Sequence, residues 1–157
     1  MVGHPAWARR FLSEPDFDAI AGAIRAAESR TSAEIRVHLE RRVPKRLFRR
    51  RHDALARAQH VFRRLGMHRT AERHGVLIYV AVEERRLAVV GDEGIHARVG
   101  DLHWNAVRDL MVEILRENGP PRRALEHAIE VLGGVLAEHY PRRPDDRNEL
   151  SDEVSLT

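Results

Sequence analysis

Gly75-Val76-Leu77-Ile78-Tyr79-Val80-Ala81-Val82 decides the fold. The stretch carries no charge, is rich in β-branched residues, and is apolar at odd and even positions alike, so neither face can be turned to water. It is far too short to span a bilayer, and its length and composition suit a strand better than a helix. The run therefore predicts a central strand covered by helices on both sides. Glu83-Glu84-Arg85 follows as a polar turn, and Arg86-Leu87-Ala88-Val89-Val90 returns as an antiparallel partner. Gly91-Asp92-Glu93-Gly94-Ile95 then breaks the strand and leads into a short helical segment ending near Gly100.

Upstream, Ala33 to Glu40 alternates apolar and polar with period two, predicting a half-buried strand with Ile35, Val37 and Leu39 inward. Before it, Ser13 and Asp16 form a capping-box start, with Pro15 in the first turn. Phe17, Ile20, Ala21, Ile24 and Ala27 then recur at helical spacing. After Pro44, Phe48, Leu55, Ala58, Phe62 and Leu65 form an apolar stripe, widened by Leu47, Ala54 and Val61. Arg46, Arg50, Arg57 and Arg64 share nearly one bearing on that helix, so it is expected to carry a solvated arginine face until Gly66 stops it.

Downstream, two more helices are expected. Asp101 opens one lined by Trp104, Val107, Leu110, Met111, Ile114 and Leu115. The Asn118-Gly119-Pro120-Pro121 turn starts another lined by Leu125, Ala128, Ile129, Leu132, Val135 and Leu136. Gly133-Gly134 inside the last helix predicts close packing on the sheet. The sequence reads as one α/β domain over residues 1–140, followed by an extended or partly disordered acidic tail over 141–157.

Composition narrows the chemistry. The chain has 157 residues, 43% hydrophobic and 32% charged, with a formal charge of +3 and no cysteine. This describes a globular protein and excludes disulfide frameworks, thiolate metal sites and cysteine nucleophiles. The small net charge hides an asymmetry: residues 41–73 carry twelve basic residues against Asp53 and Glu72, while the last thirteen carry five acidic residues against Arg147. All basic residues but Lys45 are arginine, which fits compositional bias better than selection for phosphate binding. The N-terminal MVGHPAWARR lacks the apolar core of a signal peptide, so cytoplasmic residence without a membrane segment is the expectation.

The best site candidate is the Gly91-Asp92-Glu93-Gly94 turn. Two adjacent carboxylates sit just past a strand end, flanked by glycines that let other groups approach the backbone. Hard cations such as Ca²⁺ or Mg²⁺ take several oxygen ligands, and Glu34 supplies a third carboxylate if the strand ends coincide. The same residues fit a solvated turn in which Asp92 merely caps the next helix. The ten histidines show no zinc-binding spacing, and no GxSxG elbow or Walker loop occurs. No base-reading aromatic interleaves with the arginines, so nucleic acid is disfavoured as a partner.

Thr31-Ser32-Ala33-Glu34-Ile35-Arg36-Val37 resembles the first strand of the TPM domain family. Further similarities follow in order: Leu65-Gly66-Met67, Thr70, Arg73 to Val80, Val89 to Ile95, and Trp104. Tyr140-Pro141-Arg142-Arg143 and Asn148 to Val154 are similar to the ending of a soluble bacterial branch of that family. The resemblance implies a three-layer α/β/α sandwich around a small mixed sheet, and a divalent-cation site whose matching positions are Glu34, Asp92 and Glu93. Phosphatase activity is implied through plant thylakoid-lumen relatives linked to photosystem II repair. The expected function is thus a TPM-type domain of unassigned role that binds Ca²⁺ or Mg²⁺. The alternatives are a metal-assisted phosphatase and an adaptor docking its arginine helix on an acidic protein partner.

Overall fold

The computed structural model describes residues 3–44, 53–69, 74–144 and 152–157. Its elements run α1 (Ala6–Phe11), α2 (Glu14–Glu28), β1 (Glu34–Glu40), α3 (Asp53–Arg64), β2 (Gly75–Ala81), β3 (Arg86–Gly91), α4 (Glu93–Val99), α5 (Asp101–Arg116), α6 (Pro121–His139) and β4 (Ser155–Leu156). A 3₁₀ turn, Met67–Arg69, links α3 towards β2. The sheet has the order β3-β2-β1-β4, with β2 parallel to β1, β3 antiparallel to β2, and β4 parallel to β1. This is the expected mixed sheet flanked by helices.

Local chemistry explains the elements. The Ser13 hydroxyl accepts the Asp16 N–H, and the Asp16 carboxylate accepts the Ser13 N–H, closing the capping box that starts α2. Every residue of β2 is buried, because the sheet separates two apolar cores. Ile35, Val37, Leu39, Val76, Ile78 and Val80 face the larger one, covered by α2, α5 and α6. Leu77, Tyr79, Ala81 and Ala88 face the smaller one, covered by α3 through Ala54, Ala58, Val61 and Phe62. Leu55, expected in the apolar stripe, is 46% exposed; the helix is rotated so that Ala54 takes the inward place.

Two sequence expectations change here. Gly133 does mark a close approach, but to α2 rather than the sheet: a Cβ there would lie 2.9 Å from the Ala27 Cβ, whereas Gly134 meets nothing within 4 Å. The arginine face also loses a member. Arg57 is 8% exposed, and its Nε and Nη2 donate to the two carboxylate oxygens of Glu40, each at 2.8 Å. Arg46, Arg50, Leu47 and Phe48 lie outside the described residues.

Glu40 sits on the α3 face of β1 with only 4% exposure and collects four hydrogen bonds. Besides the two from Arg57, it accepts from the Tyr79 hydroxyl at 2.7 Å and from the Thr157 hydroxyl at 2.6 Å. Burial alone would raise its pKa, but the bonds from Arg57, Thr157 and Tyr79 outweigh burial and lower it to about 2. The pair's contribution is therefore complete above the ordinary carboxylate range and is lost as pH falls through about 2. Arg57→Met leaves a buried, uncompensated carboxylate and is expected to cost about 3–5 kcal/mol. Urea unfolding at pH 7 measures this, and the double change Glu40→Leu with Arg57→Met is expected to recover most of the loss.

Candidate functional site

Strand register builds the site. Glu34 pairs with Gly75 across β1 and β2. The hairpin pairs Val76 with Gly91, so the next residue, Asp92, stands beside Gly75, and its N–H donates to the Gly75 carbonyl at 2.9 Å. Ile35 and Val76 point into the larger core, so alternation turns Glu34 and Asp92 to the α3 face. Two carboxylates, each 6% exposed, thus flank a residue without a side chain. The 3₁₀ turn roofs that gap: a Cβ on Gly75 would lie 3.4 Å from the Met67 Cε and 3.5 Å from the Met67 carbonyl oxygen.

Asp92 also caps α4, its Oδ1 accepting the Glu93 N–H at 2.7 Å. The capping reading and the site reading therefore describe the same side chain, one oxygen of which is engaged by the helix. Glu93 is exposed and lines an open groove of about 690 Å³ together with Asp92, and with His60, Arg63 and His68 from the α3 side. Of the three predicted residues, the structure brings Glu34 and Asp92 to one row and leaves Glu93 on the groove wall. Among the described residues, no group of three or more His, Asp or Glu side chains is arranged to hold a metal ion. The glycine before the acids has a packing role: a Cβ on Gly91 would lie 2.5 Å from Trp104 Cζ2, so the indole needs it bare.

Sequence reasoning missed Glu28 and its tail partner. Glu28 ends α2 and is 6% exposed; its Oε2 accepts the Ile35 N–H at 2.9 Å, on the side of β1 facing away from β2. Asp152, within the stretch expected to be an extended or partly disordered tail, hydrogen-bonds Glu28. Burial first, and then that bond, push the Glu28 pKa up to about 9, with the charges of Asp152 and Glu34 adding to it. The signal was a single acidic residue at a helix end, which reads as surface in any linear pattern.

The family model for the TPM domain matches residues 8–135. The chain belongs to the TPM domain family. Among solved structures, it is similar to the NMR structure of BA42 protein from the psychrophilic bacterium Bizionia argentinensis. The two are 37% identical, covering 94% of this chain and 96% of that one, with a TM-score of 0.82. The N-terminal domain of a P. gingivalis protein, also an NMR structure, shares the fold at 18% identity and a TM-score of 0.59, covering 85% of this chain and 82% of that one. The comparison with curated proteins returns no match. Among the described residues of this TPM domain, no helix is long and apolar enough to cross a membrane.

Glu28 generates a stability prediction. Its folded pKa is raised, so the unfolded chain releases this proton from about pH 4.5 upward while the fold holds it until about 9. Its presence therefore costs stability progressively across that window. Glu28→Gln keeps an acceptor for Ile35 and a donor for Asp152 but cannot ionise. It is expected to lie close to the parent near pH 5 and to exceed it by roughly 4 kcal/mol at pH 8. Denaturant midpoints at several pH values check this; a difference independent of pH contradicts it.

Proposed function

We propose that this TPM domain binds a divalent cation, Ca²⁺ or Mg²⁺, at the strand-end row of Glu34 and Asp92, with Glu93 supplying an oxygen from the groove wall. The carrying observation is the register that sets two buried carboxylates on either side of Gly75, on one face of the sheet. The chemistry of the donors fits such an ion. Carboxylate oxygens and the Met67 carbonyl beside Gly75 are hard ligands, and a hard cation completes its shell with water. When bound, the ion supplies concentrated positive charge at the floor of the groove.

Metal-assisted phosphoester hydrolysis is the second reading, favoured by the groove's other wall. His60, Arg63 and His68 stand across from Asp92 and Glu93. An arginine there is suited to bidentate contact with a phosphate that the acidic side alone would repel. The adaptor reading retains Arg63 and Arg64 as exposed charges but loses Arg57 to its buried pair.

Calcium titration of the ¹⁵N-labelled chain tests the first reading. The amides of Glu34, Gly75 and Gly91–Gly94 are expected to shift most and to saturate. Asp92→Asn retains a good helix cap, and it is expected to weaken the affinity at least about tenfold by removing one charged ligand. Shifts confined to Asp152 and Glu153 contradict the site. For the second reading, turnover of a simple aryl phosphate is expected to disappear in Asp92→Asn and to fall strongly in Arg63→Ala. Unchanged turnover in both removes the phosphatase reading.

A further inference from the structure

Residues 152–157 lie along the edge of β1 that faces away from β2, and the body of the domain reads them residue by residue. Asp152 bonds Glu28, and Val154 is buried in the larger core. Ser155 and Leu156 pair with His38 and Leu39. The Thr157 N–H donates to the Leu39 carbonyl and the Arg41 N–H to the Thr157 carbonyl, both at 3.0 Å.

The side chains add a code to this ladder. His38 is 1% exposed, and its ring addresses two hydroxyls: Nδ1 lies 2.6 Å from Ser155 Oγ and Nε2 2.8 Å from Thr157 Oγ1. Those hydroxyls are two residues apart, the repeat of a strand, and the Thr157 hydroxyl passes its own hydrogen to Glu40 at 2.6 Å. The edge therefore selects an extended segment with an acid followed by apolar, hydroxyl, apolar, hydroxyl at its end. These bonds all run between the segment and β1 or its neighbours, so the same segment from another copy satisfies each of them.

We propose that the edge of β1 is a strand-docking surface and that its partner in trans is the 152–157 segment of a second copy, giving a strand-exchanged dimer. Charge favours the encounter. The last thirteen residues carry five acids against one arginine, while the region 41–73 is strongly basic. Exchange of one identical element between copies is a low-cost route to dimers, because every closed contact is reused.

Two full-length preparations, one ¹³C,¹⁵N-labelled and one unlabelled, are mixed at about 1 mM, where a tethered segment and a second copy compete on comparable terms. The expected result is a species of twice the monomer mass that grows with concentration. It is expected to show isotope-filtered NOEs between the Leu39 methyls of one copy and the Leu156 methyls of the other. In the full-length double variant Ser155→Ala with Thr157→Val, these NOEs are expected to appear several-fold faster, because the segment leaves its own edge more often. Thr157→Ser, which keeps the hydroxyl, is expected to exchange at the parental rate. A strict monomer, a dimer without Leu39–Leu156 NOEs, or an unchanged rate in the double variant overturns the proposal.

Discussion

Glu40 is a carboxylate in a protein core, and placing it there dictates much of its surroundings. An ionised carboxylate far from water is costly unless opposite charge and hydrogen bonds compensate it. Arg57 supplies the charge in a two-point grip, and Tyr79 and Thr157 supply the remaining bonds. Those partners come from α3, β2 and the C-terminal segment, so one side chain fixes the helix over the sheet, the neighbouring strand, and the tail along the edge. Replacing the whole cluster by apolar residues need not weaken the fold, but removing one member does, and that asymmetry ties the parts together.

The α3 face of β1 runs from this compensated carboxylate at one end to Glu34 at the other. Between them His38 is held neutral, burial lowering its pKa to about 4, while the Glu40 charge opposes that shift. The two acids differ in what the neighbouring strand presents. Beside Glu40 the sheet places Ala81, with Tyr79 reaching across to bond it; beside Glu34 it places Gly75, and beyond that a second acid, Asp92. The first end is filled with protein. The second lies beside a groove with histidines and an arginine across from the acids. The first end serves stability, and the second is the end proposed to hold the cation.

The elements legible in the sequence were those whose signal is local. The uncharged run of β2, the alternation of β1 and the capping box of α2 each carry their pattern within a few residues, and the structure reproduces them. Asp92 was legible for the same reason, lying between a strand and a helix in an obvious turn. Contacts between distant segments were not. Arg57 shares a helical bearing with exposed arginines, and only the position of Glu40 in space reveals it as buried. Ser155 and Leu156 are too short a strand to show a period, and their pairing depends on His38 and Glu40 more than on propensity. Gly133 signalled a close approach, yet its partner, Ala27, lies more than a hundred residues away in sequence.

The most direct test of a division of labour along β1 is to measure stability and calcium affinity together on two charge-neutralising variants, Glu34→Gln and Glu40→Gln. Glu40→Gln is expected to lower unfolding free energy by on the order of 2–4 kcal/mol while leaving calcium affinity unchanged. Glu34→Gln is expected to leave stability nearly intact and to weaken calcium binding at least about tenfold. Calcium affinity that survives Glu34→Gln, or that falls equally in both variants, contradicts the account.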